Sequence, residues 1–269
     1  MGNLTNEWAG RRVVVTGGTG GIGWRCSEMF AQLGAEVWAC GNNKGELERA
    51  RSSATPGISV QELDVRSEDS INAIFGDAYW ADRGLDVLVN CAGIQTFGNA
   101  EATTLSAWNF AMDINVTGAF LASKYALPLM RRNGGGSIVN VSSIHARVTA
   151  GSRLAYVASK SALLGLTRAM AVDHAAEGIR VNVILPGAID TKMITDGWAA
   201  LRPDRTADEM RRAVGDSNPL GRIGYPQDVA GAIIFLCSDA ASFITGVELC
   251  VDGGIAQKLA LPVTTSRQE

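Results

Sequence analysis

Seven short runs rich in β-branched residues recur along the chain: RRVVVTG, AEVWACG, ISVQELDV, LDVLVNCAG, GSIVNVSS, IRVNVILPG and GVELCVDGG. Between most of them lie longer segments with helical spacing. Antiparallel neighbours are joined by a tight hairpin, but parallel strands need a long crossover, and the intervening segments supply one each time. Several runs are apolar at successive positions, as strands covered by helices on both faces require. The longest helical stretches span about 105–132, ended by NGGG, and about 152–177. No Pro/Gly/Ser linker, composition break, repeat or low-complexity tract interrupts the pattern. The expectation is one α/β domain, a doubly wound parallel sheet of seven strands with helices on both faces and a core over about 9–254. Residues 188–225 carry mixed charges, prolines and glycines and read as a loop-rich insertion that covers a substrate, with 255–269 a tail.

Composition narrows the partners. Of 269 residues 46% are hydrophobic, enough for a large core. Basic residues number 24 against 27 acidic, net −3, so there is no electrostatic case for nucleic acid or an anionic membrane. No apolar run approaches the ~20 residues of a membrane span, and MGNLTNEWAG has no hydrophobic signal core. Asn6 also breaks the myristoylation pattern. Cys26, Cys40, Cys91, Cys237 and Cys250 are odd in number and show no CxxC spacing, which suits a reducing cytoplasm. The sequons at Asn3, Asn115 and Asn140 then read as chance matches.

TGGTGGIG, Thr16 to Gly23, places five glycines directly after the first strand and before a helical segment. Glycine is poor material for regular structure, so a cluster there serves close approach. Backbone N–H groups and a helix N-terminus can then meet a phosphate. Read alone, the loop is moderate evidence for this, the alternative being a plain tight turn. Downstream, AYVASK puts Tyr156 and Lys160 four apart on one helical face, where an ammonium close to a phenol favours phenolate. Ser143 lies thirteen residues earlier, at the end of GSIVNVSS, where its hydroxyl can meet the same reacting oxygen.

In this order the motifs resemble the single-domain branch of the short-chain dehydrogenase/reductase family over about 9–254, which implies a Rossmann-type sheet. TGxxxGxG is Thr16 to Gly23, NCAG (90–93) is similar to the family's NNAG with Cys91 replacing its second Asn, and DINVTG supplies Asn115. The resemblance implies that Tyr156 is the acid/base, that Ser143 orients the reacting oxygen and that Asn115 holds a water in a proton relay. Lys160, in the same reading, holds the nicotinamide ribose and lowers the tyrosine pKa. Tyr156 and Lys160 thus belong to the cofactor site too. Gly17, Thr19, Gly20, Gly21, Ile22 and Gly23 would cradle the pyrophosphate, and Asp64 with Val65 the adenine. Asn90, Ala92 and Gly93 would line the cofactor, with Pro186, Gly187, Ile189 and Thr191 toward its nicotinamide. Family members commonly form homotetramers through their two long helices and last strand.

The cofactor implied is NAD(P). Gly41 stands where NAD-specific members usually carry Asp, and Asn42, Asn43 and Lys44 could cradle a 2′-phosphate, which leans the reading to NADP. Substrate contacts are expected from Gln95, His145, Arg153 and Met193. His145, Arg147 and Arg153, with no acid among them, hint at a polar or anionic substrate, against the plainer reading of solvated or interfacial arginines. His145 and His174 are the only histidines, so no metal site or Ser/His/Asp hydrolase is expected. The chain is expected to interconvert a secondary alcohol, such as a sugar, polyol or other polar cyclic alcohol, and its ketone or lactone. The alternative is a nucleotide-binding sensor or scaffold of the same fold without turnover.

Overall fold

Val13, Val14 and Val15 are fully buried, yet successive side chains of a strand point to opposite faces, so the first strand must be covered on both sides. In the computed structural model, which describes residues 7–80 and 83–259, it is. The Asn3 sequon, Asn6 and most of the expected tail (260–269) lie outside the described residues. Strands β1 (Arg12–Thr16), β2 (Glu36–Gly41), β3 (Ile58–Glu62), β4 (Val87–Asn90), β5 (Gly136–Val141), β6 (Ile179–Pro186) and β7 (Glu248–Val251) form one sheet. Its order is 3-2-1-4-5-6-7, and every neighbouring pair is parallel. Val14 pairs with Trp38 on one side and Leu88 on the other.

Alternate strand residues feed two cores. Val13, Val15, Val89 and Val139 pack with Cys26 and Phe30 of α1 (Gly21–Gln32) and with Val229 and Ile233 of α9 (Pro226–Cys237). Val14, Leu88 and Ile138 face the other way, onto Ile71 of α3 (Glu68–Phe75), Leu121 and Ala122 of α5 (Gly118–Arg132) and Met170 of α6 (Leu154–Asp173). α2 (Lys44–Ser53) runs from β2 to β3. Connections leave β1 toward β2 on one side while β4 lies on its other side, and the crevice at their carboxyl ends is where such sheets bind ligands.

The stretch expected as one helix over 105–132 is three pieces: α4 (Leu105–Met112), a π-helical turn at Asp113–Thr117, and α5. The extra residue of a π turn rotates Asn115 inward, where it is 1% exposed. α6 stops at Asp173, short of the expected 177, followed by a 3-10 turn that ends at Gly178 with φ +71°. Asn140 is fully buried, so neither it nor Asn115 offers a surface for glycosylation. The five cysteines are free thiols, and no helix among the described residues is long and apolar enough to cross a membrane.

Residues 188–225 are more helical than a loop-rich insertion. They hold α7 (Lys192–Leu201) and α8 (Ala207–Ser217), the latter started by a reciprocal capping box between Thr206 and Glu209. Their cations are mostly paired nearby, Arg211 with Asp190 and Asp208, Arg202 with Asp204 and Arg222 with Asp228 of α9, which leaves little field to steer a ligand.

Candidate active site

The glycine loop between β1 and α1 is built by close approach. Gly17 has φ +64°, and a Cβ there would sit 2.8 Å from the Ala92 backbone, so the loop lies directly against the turn after β4. A Cβ on Gly23 would collide with the Gly17 carbonyl, which lets α1 start tight against that loop. α1 has no side-chain cap at Gly20 and no acid in its first turn, leaving free backbone donors and a positive dipole end. These are the properties of an anion cradle.

A single cavity of about 560 Å³ runs from this cradle to the expected reacting residues. Its walls include Gly17, Thr19, Gly20, Gly21 and Ile22, then Gly41, Asn42, Asn43, Asp64 and Val65. Toward the other end come Ala92, Gly93, Pro186, Gly187, Ile189 and Thr191, and finally Ser143, Tyr156 and Lys160. Gln95, His145, Arg153 and Met193 line that last part, beneath Ile194, Trp198 and Leu201 of α7. Three expected residues stand behind the wall. Gly23 is in α1. Asn90 is buried and its Nδ2 donates to Asn140 Oδ1 (2.9 Å) and Ser123 Oγ (3.1 Å). Asn115 Oδ1 accepts from the Ile94 N–H (2.8 Å) while its Nδ2 donates to the Ile94 carbonyl (3.0 Å) and Ser159 Oγ (2.9 Å), pinning the loop after β4 to α6.

Ser143 lies two residues past β5, capping a short 3-10 turn, where its Oγ accepts from the His145 N–H (3.2 Å); Tyr156 and Lys160 come from the first two turns of α6. Burial pushes the Tyr156 phenol above its ordinary range, while its hydrogen bond with Ser143 and the Arg153 cation pull it back. Burial lowers Lys160 to about 8. Its Nζ donates to the Val141 carbonyl (2.9 Å) and lies 5.9 Å from the Tyr156 ring centre. A Cβ on Gly93 would come 3.1 Å from that Nζ and 3.2 Å from Asn115 Oδ1, so a bare backbone is what keeps this side of the cavity open. Cys91, held to about 11 by burial, stays a neutral thiol.

Asp64 is bound by Arg66, whose Nη2 donates to it at 2.6 Å, which lowers the carboxyl pKa. Arg147, one of the three cations in the sequence hint, is spent on Glu248 (2.6 Å), so the hint contracts to His145 and Arg153. His174 caps α6 and its Nδ1 lies 3.2 Å from Glu177.

Glu46 is among the cavity residues that escaped the sequence reading. Its carboxylate lies over the glycine loop, where a Cβ on Gly20 would come within 2.6 Å of an oxygen. Asn43 caps α2 by accepting from the Glu46 N–H (3.0 Å), so NNKGE is a cap followed three residues on by an acid. That signal was present but pointed to a helix start rather than to a ligand.

A family profile described as Enoyl-(Acyl carrier protein) reductase matches residues 17–256. The chain is 39% identical over 93% of its length to cis-4-hydroxycyclohexanecarboxylate dehydrogenase of Sinomonas cyclohexanicum, covering 98% of it. It is 36% identical to 2-(S)-hydroxypropyl-CoM dehydrogenase 3 of Xanthobacter autotrophicus, over 94% of this chain and 99% of that one. Among solved structures, the aldohexose dehydrogenase of Thermoplasma acidophilum superposes with a TM-score of 0.88 at 33% identity, over 98% of this chain and all of that one. Fold, cavity and full-length similarity lead to one conclusion: the chain belongs to the short-chain dehydrogenase/reductase family and is an NAD(P)-dependent oxidoreductase acting on CH–OH groups.

Proposed function

We propose that the protein oxidises a secondary alcohol on a polar, ring-sized substrate to the ketone, with NAD as the preferred cofactor. The observation that carries this is the convergence of Ser143, Tyr156 and Lys160 in the same cavity as the uncapped N-terminus of α1. The residues present fit a dinucleotide: a backbone bare enough for a pyrophosphate at Gly17–Ile22 and an open wall at Gly93. Bound there, the nicotinamide supplies the hydride chemistry. Tyr156, as phenolate, takes the hydroxyl proton, and Ser143 donates to the same oxygen and fixes its position. Lys160 holds positive charge beside them, and Asn115 acts through the loop it pins rather than by touching substrate. α7 and α8 cover the substrate end. The reaction class is supported by relatives whose names specify dehydrogenation of hydroxyl groups on a cyclohexane ring, a hydroxypropyl chain and an aldohexose. The test is turnover of ring alcohols, hydroxy acids and aldoses with NAD and NADP, read by reduced-nicotinamide absorbance. Silence across the panel in both directions, from protein that binds the cofactor, would favour the sensor or scaffold reading.

The lean to NADP gives way to NAD on account of Glu46. An Asp at position 41 has no room, because a Cβ there would overlap the Thr19 hydroxyl. The negative charge comes instead from α2, and it occupies the space over Gly20 that a basic side chain would need to meet a 2′-phosphate. A carboxylate suits ribose hydroxyls and repels a phosphate. NAD is expected to bind about tenfold or more tightly than NADP by calorimetry, and Glu46→Gln to narrow that gap about tenfold by strengthening NADP. A gap unchanged by the substitution removes Glu46 from the discrimination.

Assembly as a homotetramer is part of the same proposal. α4 and α5 leave Phe110 and Phe120 about half exposed, at 44% and 48%, and Leu105 more so. Light scattering is expected to give four chains, and Phe120→Glu a smaller species.

A further inference from the structure

Among the described residues, four buried polar side-chain atoms have no hydrogen-bond partner: Asn90 Oδ1, Thr96 Oγ1, His145 Nδ1 and Arg153 Nε. Native folds seldom leave such groups unpaired, and half-buried Arg153 is the one among them that carries a charge. Two of the four, His145 and Arg153, line the substrate end of the cavity beside Tyr156, and Thr96 lies in the adjoining loop. The backbone joins these segments, since Leu154 N–H donates to the Gly98 carbonyl (3.1 Å) and Gly98 N–H to the Ser152 carbonyl (3.0 Å).

Arg153 behaves differently at its two ends. Nη1 reaches outward and donates to the Gly151 carbonyl (3.0 Å), while Nε is enclosed. The guanidinium carbon lies 5.7 Å from the Phe97 ring centre, so one flank is apolar. Arg153 makes no ion pair among the described residues. Its neighbour Arg147 has Glu248, which also takes Arg168. Desolvation lowers the Arg153 pKa; burial likewise lowers that of His145 and the Arg153 charge lowers it further, which favours the neutral imidazole with its single N–H. A ring contact with centroids 6.0 Å apart places His145 against Tyr156.

The geometry points to a carboxylate-binding subsite: Arg153, with His145 beside it, holds a carboxylate of the substrate, which is therefore a hydroxy acid whose carbinol lies against Tyr156. This rests on reading Tyr156 as the acid/base of an alcohol dehydrogenase. A carboxylate supplies the acceptor that Nε lacks and the counter-charge that no acid among the described residues provides. The apolar surface of Phe97 on one side and of Ile194 and Trp198 above suits a hydrocarbon body between the two polar ends. The name of one relative describes such a molecule, a cyclohexane with a hydroxyl opposite a carboxylate.

The test uses the enzyme with NAD bound and two unreactive probes of one shape, cyclohexanecarboxylate and cyclohexanecarboxamide, with affinity read by ligand-observed NMR titration. The carboxylate is expected to bind about 10- to 100-fold more tightly than the amide. Arg153→Gln should erase that preference while leaving the amide affinity within about twofold, and Arg153→Lys should keep part of it. Equal binding of the two probes by the wild-type complex, or a preference that survives Arg153→Gln, overturns the subsite. Turnover separates this from the reaction itself. If cyclohexanol and 4-hydroxycyclohexanecarboxylate are oxidised with equal kcat/KM, the dehydrogenase stands and the carboxylate subsite falls. If the probes discriminate but no hydroxy acid is oxidised, the subsite stands as an anion site and the alcohol reading falls.

Discussion

Replacing Tyr156 by phenylalanine is expected to lower kcat for alcohol oxidation by about 10²- to 10⁴-fold, the range for a positioned acid or base. The substitution removes one oxygen and keeps the ring, so its contact with His145 and its place in α6 remain. Thermal stability and the Kd for NAD should therefore stay near wild type, and the loss should fall on kcat. Direction of reaction and pH act together here. Burial holds the phenol above its ordinary range, so the phenolate needed for oxidation is scarce at neutral pH and grows as pH rises. Oxidation by the wild type should thus accelerate on the alkaline side, and reduction, which needs the phenol, should slow. Activity of Tyr156→Phe within tenfold of wild type would leave the proton transfer without its carrier. The nearby Ser143 would not replace it, since a serine hydroxyl is far too weak an acid.

What the sequence made legible were the parts whose physics is local. Alternation of apolar runs and helical segments specified a parallel sheet, and the seven runs became the seven strands. The glycine spacing was readable because Gly17 and Gly23 each face a backbone that tolerates no side chain. The order of Ser143, Tyr156 and Lys160 was readable because a strand end and one helical face bring them together without help from the rest of the chain. Long-range placement was less legible. Asn90 was expected against the cofactor, but strand alternation turns its side chain toward α5, and only the loop after it lines the cavity. Arg147 and Arg153 look alike in the sequence, six residues apart with no acid between them. Their difference lies in Glu248, about a hundred residues away on β7, which neutralises one and not the other. Glu46 was missed for the same reason, since its relation to Gly20 depends on how β1, β2 and α2 pack. The π turn at Asp113–Thr117 left no signature beyond DINVTG, yet it is what turns Asn115 inward.

Lys160→Met is expected to cost activity and gain stability at once. An ammonium enclosed beside Tyr156 with the Val141 carbonyl as its hydrogen-bond acceptor is held at a cost, and that cost appears as the fall of its pKa to about 8. The unfolded chain keeps an ordinary lysine near ~10.4, so it holds its proton more tightly than the fold does. The sign follows from linkage: below about 8 both states are protonated and the fold bears the full penalty, and between about 8 and ~10.4 the fold sheds its proton first and stability from this group rises with pH. The shift corresponds to about 3 kcal/mol at neutral pH, and losing the hydrogen bond to Val141 returns about 1 kcal/mol of it. Methionine, of similar length and uncharged, should thus stabilise the ligand-free protein by about 1–3 kcal/mol at pH 7, raising Tm by about 2–10 °C. The advantage should shrink steadily as the melting curves are repeated toward pH 10. Meanwhile kcat/KM should fall by about 10²-fold or more on the role proposed for Lys160, that of holding positive charge beside Tyr156. A variant that melts lower than wild type at every pH would show the buried ammonium to be a structural support. A stabilised variant without turnover would mean that this fold retains a charge at the expense of its own stability, for the sake of the proton at Tyr156.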